Sequence, residues 1–130
     1  MNTVLISPRR WGKTSLVQKA CRLAQSDKLK IVYLDIFSCR SDRDFYDAFA
    51  SAVLKQTSSK VDEWLENIKL FLSRISPKIS MGADPMTDFS ISLEIDPKSN
   101  DSDEILQLPE KIAQKKGCNI VVCIDEFQQI

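Results

Sequence analysis

The chain has 130 residues, 43% apolar and 28% charged, with 18 basic side chains, 18 acidic ones and no histidine. That length suits one domain with a real core, and a formal net charge of zero gives no bulk attraction to nucleic acid or to an anionic membrane. No apolar run approaches the roughly 20 residues of a membrane span, the opening residues lack a signal-peptide layout, and without histidine the Ser-His and Cys-His hydrolase mechanisms are excluded.

The first element is a short apolar run, Thr3-Val4-Leu5-Ile6, which reads as a strand. Ser7-Pro8-Arg9-Arg10-Trp11-Gly12-Lys13-Thr14 follows, and residues 15–24, from Ser15 on, are amphipathic. Strand, turn, Gly-Lys-Thr and helix is the layout of a phosphate-binding loop, G-x-x-x-x-G-K-[ST]. Ser7 stands where the first glycine belongs, as the next smallest polar choice, and Pro8 helps set the turn. Backbone N–H groups at the helix start are unpaired and face an anion with the helix dipole behind them. Lys13 adds a mobile positive charge for the β- and γ-phosphates, and the Thr14 hydroxyl can ligate Mg²⁺.

Residues 30–36 read as a second buried strand. A capping box of Ser41 and Asp44 opens a helix in which Phe45, Ala48, Phe49, Ala52 and Val53 recur at helical spacing. A second box, Ser59 and Asp62, precedes an apolar stripe of Val61, Trp64, Leu65, Ile68, Phe71, Leu72 and Ile75, which reads as core. Residues 78–81 and 89–95 flank a turn-rich stretch and read as a β-hairpin with Phe89, Ile91, Leu93 and Ile95 on its buried face. Residues 96–101 read as a surface loop. A helical segment comes next, with Pro109 at its first turn or kinking it, and Gly117 as its C-cap.

Asn119-Ile120-Val121-Val122-Cys123-Ile124 is a continuous, mostly β-branched run, the pattern of a parallel strand buried on both faces. Asp125 and Glu126 follow at once, which is the Walker B pattern. Asp125 would hold Mg²⁺ through a water, and Glu126 would orient and deprotonate an attacking water. The four cysteines, Cys21, Cys39, Cys118 and Cys123, form no C-x-x-C pair. With no histidine a zinc site is not expected, and unpaired thiols point to a reducing compartment, the cytoplasm.

The Pro-Arg-Arg-x-Gly-Lys-Thr-Ser-Leu loop, together with the Asp-Glu-Phe-Gln ending, resembles the archaeal-type ATPases of prokaryotes, P-loop proteins related to the STAND and AAA+ groups. The resemblance implies ATP and Mg²⁺ as ligands, Lys13 and Thr14 on the phosphates, Thr14 and Asp125 on Mg²⁺, and Glu126 activating water. It implies slow hydrolysis used as a conformational switch. Family members are longer and carry a further strand between the loop strand and the acid strand, then a sensor residue, arginines and a helical lid. Residues 1–130 therefore read as the N-terminal part of an ATPase domain from Walker A to Walker B, weak or inactive alone, with an insertion at about 57–100.

The expected fold is α/β: a P-loop-like parallel sheet with flanking helices, plus an inserted helical pair and hairpin, in an incomplete domain. The insertion either offers a partner surface or covers a sheet edge or face. Exposed strand edges in such a piece invite a homo-oligomer or a swapped dimer. Two other functions stay open, a nucleotide-binding module without meaningful turnover and a DNA-associated ATPase. For the latter, Arg9, Arg10, Lys28, Lys30, Lys115 and Lys116 are the evident basic groups.

Overall fold

The computed structural model describes residues 2–8, 10–71, 77–83, 89–93 and 101–127. Among these, helix α1 (Lys13–Ala24), strand β1 (Leu29–Asp35), helices α2 (Asp42–Thr57) and α3 (Val61–Phe71), strands β2 (Pro77–Met81) and β3 (Phe89–Leu93), helices α4 (Asp101–Leu106) and α5 (Leu108–Lys116), and strand β4 (Asn119–Asp125) follow in order. None of the described helices is long and apolar enough to cross a membrane.

β1 and β4 pair in parallel, with Ile31 opposite Val121, Tyr33 opposite Cys123 and Asp35 opposite Asp125. Side chains alternate across a sheet, so these odd-numbered residues share one face and Val32, Leu34, Ile120, Val122 and Ile124 share the other. The even face is the core face. Val32, Leu34 and Ile36 are buried with Phe49, Ala50, Val53 and Leu54 of α2, Trp64 and Ile68 of α3, Ile91 and Leu93 of β3, and Ile105, Leu108 and Ile112 beyond them. The odd face meets α1, which buries none of its own residues.

Local signals set the helix ends. The Ser41 hydroxyl accepts the Asp44 N–H at 3.1 Å, and the Asp44 carboxylate accepts the Arg40 N–H at 3.0 Å, a capping box shifted one residue back at its return bond. Gly117 takes the left-handed conformation, φ 65°, that ends α5, and the Cys118 N–H reaches the Ala113 carbonyl at 3.2 Å. Pro109 sits in the first turn of α5, where its missing N–H costs nothing.

Several expectations need correction. Residues 3–6 form no strand: Val4 is 80% exposed and Ile6 91%. A strand needs a neighbour to complete its ladder, and β1 and β4 pair only with each other among the described residues. For the same reason β4 is an edge strand with Val121 46% exposed, not a strand buried on both faces. β1 likewise buries only its even face, leaving Asp35 exposed. The return partner at the start of α3 is Glu63, not Asp62; its longer side chain accepts both the N–H and the hydroxyl of Ser59 at 2.9 Å. Asp101 opens α4, and the helical segment breaks at Gln107 before Pro109. Leu72, Ile75, Ile95 and residues 96–100 lie outside the described residues.

The hairpin of β2 and β3 is antiparallel, as the alternation predicts. It packs on α2, where the Leu93 N–H donates to the Asp47 carboxylate at 2.7 Å. It does not cover the outer edge of β1. That edge is closed by side chains: Gln25 accepts the Ile31 N–H at 2.9 Å, and Gln56 accepts the Tyr33 N–H and donates to the Tyr33 carbonyl, both at 2.8 Å.

Lys116 fastens the end of α5 to the start of α3 through Glu63 at 2.5 Å and also donates to the Thr57 carbonyl. Burial works against the Glu63 charge, but Lys116 and the two Ser59 donors outweigh it and bring its pKa down to about 2. A carboxylate with a depressed folded-state pKa stabilises above its unfolded value, and that contribution is lost as pH falls through the folded value. Glu63→Gln is therefore expected to cost about 2 kcal/mol at neutral pH. The difference from wild type should close between roughly pH 4.3 and the folded value. Urea titrations across that range check both statements.

Candidate functional site

Three elements deliver side chains to one spot at the carboxyl end of the parallel sheet. β4 ends at Asp125, β1 brings Tyr33 on the same face, and α1 begins at Lys13 above them. The Thr14 hydroxyl donates to Asp125 Oδ2 at 2.6 Å. The Tyr33 phenol donates to the same oxygen at 2.7 Å, and the Glu126 N–H donates to Oδ1 at 2.9 Å. The first two motifs of the sequence thus meet directly, 111 residues apart in the chain.

The electrostatics follow. The Thr14 hydroxyl holds the Asp125 carboxyl below its usual range, the Tyr33 phenol, the Glu126 N–H and the Lys13 charge add to that, and partial burial opposes it. Tyr33 moves the other way. Burial, then its bond to the Asp125 carboxylate, push the phenol well above its ordinary value, so it is a fixed donor at any physiological pH. The Gln18 amide works against that rise. It sits one turn beyond Thr14 on the same face of α1.

The helix start is bare. Gly12 takes φ 74°, a conformation glycine adopts without strain, and its carbonyl accepts the Leu16 N–H at 2.9 Å. No side chain caps α1 and no acid lies in its first turn, whereas α2 is capped by Ser41 and carries Asp42 and Asp44. The Lys13, Thr14 and Ser15 N–H groups have no acceptor inside the helix. Glu126 and Arg10 both lie in the left-handed region, at φ 59° and 66°, which is strained for residues with a side chain.

The remaining predicted loop residues differ in exposure. Ser7 is half-buried; Pro8, Arg10, Trp11 and Ser15 are exposed; Arg9 lies outside the described residues. Two features escape sequence reading. Tyr33 is visible only once β1 and β4 are set in register. The Cys21 thiol donates to Cys123 Sγ at 3.7 Å, and burial first, then that thiol, push Cys123 up to about 11. Beside them an open cleft of about 630 Å³ runs between Gln18, Cys21 and Arg22 of α1, Gln25 just after it, and Ile31 and Tyr33 of β1.

Among the described residues, no cluster of three or more cysteine or carboxylate side chains could hold a metal ion. Thr14 and Asp125 offer hard oxygen donors, the kind Mg²⁺ takes when phosphates and waters complete its shell. No family model, curated protein or solved structure matches the chain, so the resemblance in the loop and acid motifs rests on those residues alone.

Thr14→Val removes one donor to Asp125 and is expected to cost about 1 kcal/mol at neutral pH. A depressed carboxylate pKa stabilises above its unfolded value of about 3.9, and that contribution fades as pH falls further. The cost of the substitution should shrink in the same range, as denaturant titrations at stepped pH would show.

Proposed function

We propose that Lys13, Thr14, Asp125 and Glu126 form the Mg²⁺-ATP site of a P-loop ATPase that uses binding and hydrolysis as a conformational switch. The observation that carries this reading is the 2.6 Å bond between Thr14 and Asp125, which unites the loop and the acid strand at one point. The uncapped start of α1 supports it, because its free N–H groups and the Lys13 ammonium suit a polyphosphate. ATP is preferred over GTP because the sequence holds no Asn/Thr-Lys-x-Asp guanine-reading motif.

Each residue then has a distinct task. Lys13 binds the β- and γ-phosphates as a point charge. Thr14 and Asp125 hold Mg²⁺, which when bound neutralises charge on the phosphate oxygens. Tyr33 orients the Asp125 carboxylate by occupying Oδ2. Glu126 takes the proton of the attacking water. Its left-handed backbone, φ 59°, ends the run of the strand there.

Binding and turnover are tested separately. Lys13→Ala is expected to weaken Mg²⁺-ATP binding by ~30-fold or more in calorimetry. Glu126→Gln should keep the affinity and lower single-turnover hydrolysis by ~100-fold or more, the range of a general base. Hydrolysis at the wild-type rate in that variant would remove Glu126 from the role. If wild type binds ATP but makes ADP no faster than solution does, the site is a switch without turnover.

A further inference from the structure

The nucleotide reading leaves one contact in the site unused, the thiol pair of Cys21 and Cys123. Cys21 lies on α1, about two turns beyond Thr14. Cys123 lies on β4, on the same face as Asp125 by the strand period. Their sulfurs are 3.7 Å apart, across 102 residues of chain. Both are partly exposed, and Cys21 borders the cleft beside α1, so a small oxidant reaches the pair.

We infer that Cys21 and Cys123 are a redox site, oxidised by a peroxide to a disulfide that ties α1 to β4. A disulfide needs the sulfurs at about 2.05 Å. At 3.7 Å the two sulfurs are already in contact, so the remaining approach is short. In the first step the Cys21 sulfur attacks a peroxide oxygen. The O–O bond breaks, the thiol proton leaves with the departing oxygen as water, and a sulfenic acid remains. In the second, the Cys123 sulfur attacks the sulfenic sulfur, the S–O bond breaks, and a second water carries off the remaining proton. Two thiols lose two electrons and two protons, and one hydrogen peroxide becomes two waters.

The crosslink has a consequence for the nucleotide, and that part rests on the proposed function. The Thr14 hydroxyl donates to Asp125, which leaves its own oxygen lone pairs for a metal ion, so loading the site asks the start of α1 to adjust against the end of β4. A disulfide further along the same helix and strand resists that adjustment. The oxidised protein then binds Mg²⁺-ATP more weakly than the reduced one.

The test oxidises the purified chain with hydrogen peroxide, alkylates the remaining thiols and maps peptides without reduction. The expected product is an intramolecular Cys21–Cys123 link with Cys39 and Cys118 alkylated. Its melting temperature should rise by ~5 °C or more, because the link closes a long loop, and dithiothreitol should reverse the rise. Cys21→Ser and Cys123→Ser should each abolish link and shift, while Cys39→Ser keeps both. Alkylation at all four cysteines, a link between other cysteines or between chains, or a shift that survives in both serine variants overturns the redox site. Calorimetry on the two forms should show ~10-fold weaker Mg²⁺-ATP binding after oxidation. Equal affinity overturns the regulatory part. If the reduced protein binds no ATP, the proposed function fails, while the link still stands or falls on the peptide map.

Discussion

A partly buried carboxylate at the end of a parallel strand gains from every donor that reaches it, and Asp125 organises its surroundings through the three it has. Thr14 and Tyr33 share one of its oxygens and the Glu126 N–H takes the other. Each donor comes from a different segment, so one anion draws the start of α1, the face of β1 and the turn after β4 into a single constellation. The Lys13 charge nearby adds to the same field. Charge-assisted bonds of this length are among the stronger polar contacts available to a protein.

The two faces of the sheet are held by different forces. On the even face, α2, α3, β3, α4 and α5 bury a continuous apolar core around Val32, Leu34 and Trp64. On the odd face, α1 has no fully buried residue and is held by Thr14, the Cys21 thiol and, just past its end, Gln25. Elements with few buried apolar contacts open at low free energy. Among the described helices, the one that carries the loop is therefore the most easily displaced, which suits a site that must adjust to its ligand.

The sheet edges are also unequal. Gln25 and Gln56 satisfy the outer backbone of β1 with side-chain amides, which blocks further strand pairing there. The other edge of β4 has no such cover among the described residues, and Val121 beside it is exposed. The apolar run Val4-Leu5-Ile6 lies more exposed still, with no ladder to join among the described residues. An edge strand and an unpaired apolar segment in one chain follow from the same shortage of strand neighbours.

The sequence alone determined whatever depends on neighbours in the chain. The period of β1 and β4, the Ser41 cap, the Pro109 start and the Gly117 stop, and the Gly-Lys-Thr helix opening are local, since dihedral preference and hydrogen bonds within a few residues fix them. It also marked Thr14 and Asp125 as chemically matched, though not as touching. The tertiary structure decided which strands have neighbours, and so removed the strand at residues 3–6 and opened one side of β4. It decided the register that sets Tyr33 against Asp125 and the helix placement that sets Cys21 against Cys123. Those are long-range facts: they depend on which elements pack together, and no spacing along the chain encodes that.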